Sequence, residues 1–284
     1  MLNLRKRNAS LILAGICFGT TGTAQALGPK GVSPLAVGSG RLIIGALLLY
    51  LFHRSAAKSA AKIAGKDLWL SAIGVVLYQI TFFSAVKSTG VAIGTVTALG
   101  SAPALTGVVA FIMNRERPTK RWFLATVITT VGIILLSTSK GLSDFNFRGF
   151  LLALGAGASY SIFAVASKRA LTDGVSITDA MFRIFALGAI LSTPLLFVGN
   201  MHWLVTPRGL LMIFWLGLIP TALAYIAYAY GLAKVRASTA STLILAEPAT
   251  ATLLAAIVLG EAINANGWVG IVVVILGLIY LSHG

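Results

Sequence analysis

Ten uninterrupted apolar runs, separated by short polar stretches, govern what this chain can become. They fall at 9–27, 34–52, 68–86, 91–113, 121–138, 148–167, 178–198, 209–231, 237–259 and 265–282. Each has the length of about 17 to 25 residues that an α-helix needs to cross the roughly 30 Å hydrocarbon layer of a bilayer. Inside that layer every backbone N–H and C=O must be satisfied within the protein. Continuous apolarity, without period-two alternation, excludes a β-barrel. At 57% hydrophobic and 10% charged residues, the chain has too little polar surface for water. The expectation is an all-α integral membrane protein with ten transmembrane helices.

The net charge of +15 would suit nucleic acid, but its distribution has another origin. When Lys and Arg are assigned to alternating loops, fifteen fall on the side that carries Arg5, Arg54, Arg115, Lys168 and Lys234, and five (Lys30, Lys87, Lys140, Arg148, Arg208) on the other. The positive-inside rule then sets the N-terminus in the cytoplasm, and an even number of spans returns the C-terminus there. The chain is expected in the cell (inner) membrane as a multi-pass protein. The basic start precedes a first span and not a cleaved signal, since nine more apolar runs follow. Around 53–67, Lys58, Lys62 and Lys66 share one face opposite several alanines, which predicts a short helix on the anionic inner leaflet.

Sliding the chain against itself by 145 residues sets 92–137 on 237–282. Thr97 then meets Thr242, Pro103 meets Pro248, Glu116 meets Glu261 and Gly132 meets Gly277. Upstream, the tripeptide Gly-Val-Ser at 31–33 recurs at 174–176, with Arg41 and Arg183 ten and nine residues after the respective glycines. Two units emerge, 1–140 and 145–284, each with five spans. Five is odd, so the second enters the membrane from the opposite side: two five-helix repeats of inverted topology, whose shared site is expected near the midplane.

Pro103 and Pro248 both fall near mid-membrane, where proline should release the carbonyls of Leu99 and Ile244 toward a polar cavity. Glu247 puts an acid beside one of them and so should face the bundle interior, while Ala102 holds the matching place in the first unit. Structural roles stand beside these: the prolines as packing kinks, Glu247 as a buried partner of Arg41 or Arg183, and the two arginines as side chains that snorkel to water. Candidate site walls are Tyr78, Gln79 and Phe82 on the third span, Tyr160 with Ser159 and Ser161 on the sixth, and Thr221, Tyr225 and Tyr228 on the eighth. Aromatics at helical spacing also serve as core, and Ser and Thr as interhelical links. Gly15/Gly19 and Gly90/Gly94 are close-packing signals. Glu116 and Glu261 read as caps or partners of nearby bases, Thr119 and Asn266 as N-caps, and Cys17 as a packing residue. The histidines, His53, His202 and His283, lie too far from the midplane to carry protons there. There is no GxxxxGK[ST] phosphate loop, no metal-ligand cluster and no nucleophile–base pair, so no cofactor, metal or catalytic residue is expected.

Residues 225–282, and their weaker echo at 78–137, resemble the two EamA repeats of the drug/metabolite transporter superfamily. The sharpest elements are the aromatic-rich helix end, the mid-helix proline and the terminal glutamate of each copy. The resemblance implies a ten-helix exporter of small metabolites, with the first, third, fourth, sixth, eighth and ninth helices around a central cavity. Relatives of the YddG type export aromatic and other amino acids. Carried over, Tyr78, Thr97, Tyr225, Thr242 and Glu247 fall on cavity helices, and with Pro103, Pro248, Gln79, Phe82, Tyr160 and Tyr228 they make up the expected substrate-binding set. The expected activity is secondary transport by alternating access, with amino acids as cargo. Other solutes or drugs, a passive pore and a membrane-embedded enzyme are the alternatives. Expected partners are a small-molecule substrate, the lipid bilayer and a second copy of the chain, but no nucleic acid.

Overall fold

The computed structural model describes residues 2–55, 61–138, 146–171 and 174–283. The helices are α1 (Leu2–Leu27), α2 (Pro34–Arg54), α3 (Gly65–Thr89), α4 (Ile93–Asn114), α5 (Lys120–Thr138), α6 (Phe147–Ala170), α7 (Ile177–Leu196), α8 (Pro207–Leu232), α9 (Ala237–Leu259) and α10 (Ala265–Ser282). Among the described residues nine have the length and apolarity of a membrane span, and α5, with 19 residues, is the tenth helix. Their outer faces carry exposed Leu47, Ile112, Phe123, Ile190, Leu211, Ile257 and Leu276, a surface that suits lipid and not water. Of the surface segment expected at 53–67, residues 56–60 lie outside the described residues. Arg54 ends α2, and 61–64 are not helical.

The recurring Gly-Val-Ser has a local cause. Gly31 and Gly174 both adopt a positive φ, 73° and 85°, which an L side chain resists. Ser33 and Ser176 then stand extended as the N-caps of α2 and α7, and Ser176 accepts from the Asp179 amide. The same three residues therefore start the second helix of each half.

The packing carries a two-fold relation. The α3–α4 hairpin lies against α6, as α8 and α9 lie against α1, while α2 pairs with α7 and α5 with α10. The last two pairs join equivalent helices, and both run antiparallel. Ser39 bonds to the Ser192 carbonyl at 2.8 Å, Tyr50 meets Phe182 and His53 meets Asp179, so numbers rise on α2 as they fall on α7. A Cβ on Gly132 would sit 2.8 Å from the Val274 amide, and one on Gly277 2.6 Å from the Thr129 side chain. Equivalent helices in opposite directions mean that the halves are inverted.

Two features differ from expectation. First, α3 and α4 form one helical run, Gly65–Asn114, without an extended loop. The run nevertheless folds back: a Cβ on Gly94 would lie 3.1 Å from the Cα of Val86, eight residues earlier, which a straight helix separates by about 12 Å. Second, Pro248 does not leave the Ile244 carbonyl without a partner. The helix stops at Leu243 and restarts at Ala246, and the Glu247 amide donates to Ile244 at 2.9 Å. The break sets Pro248 in the first turn of a new helical segment, where a missing N–H does no harm. By contrast, α4 continues through Pro103, and the neighbouring Ala102 carbonyl accepts from Thr106 and Ser161.

Candidate functional site

Small residues let the helices meet at the centre. A Cβ on Gly15 would lie 2.7 Å from the Ile244 carbonyl oxygen, and one on Gly19 2.8 Å from that of Glu247, so α1 is laid directly over the break in α9. Glu247, just past that break, is half-buried yet enclosed by protein, as a side chain on an internal cavity would be. Tyr78, Tyr160 and Tyr225 are all within electrostatic reach of it.

The rings form a continuous wall. Tyr78 stacks on Phe82 at 5.4 Å and meets Tyr160 edge-on at 6.3 Å. The Tyr160 hydroxyl donates to that of Tyr228 at 3.1 Å. Tyr225 packs between Phe18 and Phe185, 4.9 and 4.4 Å away, with Phe163 edge-on at 5.5 Å. Arg41 of α2 is buried to 8% exposure and lies within electrostatic reach of Glu247, Tyr78 and Tyr225. Among the described residues no ion pair within 4.0 Å joins Arg41 to Glu247. Gln79 lies beside α2 as well, its amide oxygen 3.4 Å from where a Cβ on Gly38 would be.

The two ends of the bundle differ. At the basic end, Glu116 approaches Lys168 at 3.7 Å and accepts from the Ala237 amide at 3.2 Å, while Lys168 donates to the Val235 carbonyl. Arg169 pairs with Asp67 at 3.0 Å, and the Trp122 indole donates to the Ser238 carbonyl at 2.8 Å. These contacts tie the first half to the second beneath the rings. Toward the other end, the second part of α9 (Ala246–Leu259) has scarcely any contact with α3 or α4 among the described residues, and seven consecutive residues, 250–256, are all partly exposed. A helix packed on one side and facing lipid on the other would alternate, so this segment borders open space toward the interior too. The halves are joined at the basic end, while toward the opposite end this part of α9 stands apart from α3 and α4 among the described residues. A separate apolar groove of about 600 Å³ between α4 and α5 is lined by Gly107, Phe111, Trp122 and Val127 and carries no charged group.

Ten helices in inverted halves around a central polar pair agree with one family, whose model, the EamA-like transporter family, matches residues 7–138 and again 147–283. The chain belongs to the EamA-like transporter family. It is therefore a multi-pass membrane transporter of small molecules and not an enzyme. It is 41% identical over 275 residues to the uncharacterized transporter YwfM of Bacillus subtilis, covering 96% of this chain and 92% of that one. The threonine/homoserine exporter RhtA of Escherichia coli is more distant, 29% identical over 242 residues, 84% of this chain and 76% of that one. One solved crystal structure, 19% identical, covers 96% of this chain and 95% of its own with a TM-score of 0.81, a likeness of fold.

In this EamA-family chain the fold brings together Tyr78, Gln79, Phe82, Tyr160, Tyr225, Tyr228 and Glu247 from the expected set, on α3, α6, α8 and α9. Pro248 sits behind Glu247, buried. Thr242 is fully buried toward the basic end, bonded to Thr126 at 3.0 Å and to the Ser238 carbonyl at 3.2 Å. Pro103 is buried in α4, and Thr97, half-buried, lies four residues beyond the start of α4. Thr221 is spent inside a π-helical turn at Leu218–Leu223, where it donates to the Leu216 carbonyl. Thr119 caps α5 as expected, but Asn264, not Asn266, caps α10. Sequence reasoning gave Arg41 a structural role, as a snorkelling side chain or the buried partner of Glu247, and passed over Phe18, Phe163 and Phe185. The signal for Arg41 was its setting in Gly38-Ser39-Gly40, small residues that admit neighbouring helices on every side.

Proposed function

We propose that this transporter exports small metabolites, amino acids and aromatic ones among them, from the cytoplasm by alternating access, and that Glu247 holds the substrate ammonium. The observation that carries the reading is the acid at the α9 break, with Tyr78, Tyr160 and Tyr225 within electrostatic reach of it. A carboxylate supplies the counter-charge, and ring faces add cation–π attraction to a partly desolvated cation. The distant likeness to a threonine/homoserine exporter favours the same cargo class. Gln79, Phe82 and Tyr228 complete the wall, while Thr97, Pro103, Thr242 and Pro248 shape the helices that carry it. The units 1–140 and 145–284 rock against each other, and the fifteen-to-five split of Lys and Arg between alternating loops supports both termini in the cytoplasm. In that orientation the joined end is cytoplasmic, and we read the structure as open to the outside.

The test is transport into proteoliposomes with a panel of amino acids, sugars and cationic drugs. Wild type should move amino acids, and Glu247→Gln should lower that flux by about ten-fold or more, the cost of removing one charge-assisted partner. The variant should still elute as a folded species. Near-normal flux in Glu247→Gln would remove the acid from this role.

A further inference from the structure

We infer that Arg41 on α2, assisted by Gln79 on α3, anchors the substrate's carboxylate, so that the site accepts zwitterions laid from α2 to α9. This rests on the amino-acid reading above and deepens it.

A buried guanidinium is costly unless it is paired and hydrogen-bonded. The other arginines in helical pairs follow that rule. Arg183, one residue out of register with the place of Arg41 in the repeat, reaches Asp179 at 2.7 Å with its side chain 49% exposed, and Arg169 reaches Asp67 at 3.0 Å. Arg41 does neither: it is more deeply buried, its Nε has no hydrogen-bond partner among the described residues, and Glu247 stands beyond ion-pair distance. The Nε2 of Gln79, a residue 2% exposed, is likewise without a partner. Gly38, three residues before Arg41 and on the same face of α2, packs against the Gln79 amide, which brings the two side chains to one corner of the site.

Two idle donors, one of them cationic, ask for a group that only accepts. Among small-molecule groups a carboxylate fits, because both its oxygens accept and a guanidinium can meet them side by side. Were Arg41 only the counter-ion of Glu247, the two would close to a salt bridge. Instead they stay beyond ion-pair distance, positive on α2 and negative on α9, an arrangement complementary to an amino acid's carboxylate and ammonium. The aromatic wall is left to the side chain.

Binding to purified protein tests this with L-phenylalanine and L-threonine, each against its own carboxamide, which keeps the ammonium but loses the negative charge. Wild type should bind the acid at least about ten-fold more tightly than the amide. Arg41→Gln should weaken the acid by a similar factor and bring the ratio near one. Arg41→Lys should retain a preference, reduced by loss of the two-pronged contact. Gln79→Leu carries the same prediction with a smaller change and serves if Arg41→Gln does not fold. If wild type binds neither amino acid, the export reading falls and this inference with it. If wild type binds acid and amide alike, or Arg41→Gln keeps the full preference, the anchor is refuted while export of amino acids stands. If Arg41→Gln/Glu247→Gln regains the wild-type preference for the acid, Arg41 only neutralises Glu247 and the anchor is again refuted.

Discussion

The contact of α1 with the broken helix can be tested by adding one methyl group. In Gly15→Ala the new Cβ would lie 2.7 Å from the Ile244 carbonyl oxygen, 3.1 Å from the Ile244 Cα and 3.1 Å from the Ala246 Cβ. Ordinary contact begins at 3.4 Å, so α1 must withdraw from the 244–245 turn by several tenths of an ångström. Two of the three obstructing atoms are backbone and cannot rotate away, and overpacking of this kind costs about 1–3 kcal/mol. Gly22, on the same helix, is the control: a Cβ there meets nothing within 4 Å. Both substitutions gain the roughly 0.5–1 kcal/mol by which alanine outperforms glycine inside a helix. That gain cancels in the comparison, so Gly15→Ala should be less stable than Gly22→Ala by about 1–3 kcal/mol. Thermal unfolding in detergent, read as loss of the monodisperse peak, should separate them by several degrees. Equal melting temperatures, or a more stable Gly15→Ala, would refute the close approach of α1 to the break.

Glu116→Gln should loosen the basic end, because one carboxylate holds both Lys168 and the first amide of α9. Losing about 1 kcal/mol there raises the open population roughly five-fold. In a Cys17→Ser background, maleimide labelling of Ser238→Cys from that face should accelerate by the same factor, and an unchanged rate counts against the closure. Asn264→Ala removes the side chain that accepts from the Gly267 amide at 2.9 Å and should destabilise the protein by about 1 kcal/mol, whereas Asn266→Ala should be close to neutral. Equal losses for the two would contradict the cap assignment.

The run of spans, their pairing into inverted halves and the start of α2 and α7 were legible because each depends on local chemistry: apolar length, or a glycine at positive φ before a capping serine. The α3–α4 reversal was not. Residues 87–90 carry a lysine, a serine, a threonine and a glycine, which read as a loop, yet the chain turns without leaving helical geometry. The proline at 248 was visible, but whether it kinks a helix or opens a new one depends on α1 pressing at Ile244. Glu247 was legible from the cost of an acid in lipid. Arg41 was read from its depth along α2 alone, which left snorkelling and pairing with Glu247 both open; its burial is decided by where the neighbouring helices come to rest. Thr242 was placed in the cavity set on helix membership, while its hydroxyl is turned to Thr126.

Duplication supplied this chain with matched skeletons, but the charges at the centre exist once: where Glu247 stands the other copy has Ala102, and where Arg41 stands it has Ile184, the neighbouring Arg183 being bound to Asp179. A passenger between them has a single berth with a fixed bow and stern. Under the proposed alternating access, in which the halves tilt to change which compartment is reached, nothing offers it a mirrored berth to turn into. It should leave facing as it arrived, so the machine is two-fold in its frame and one-way in how it seats its load.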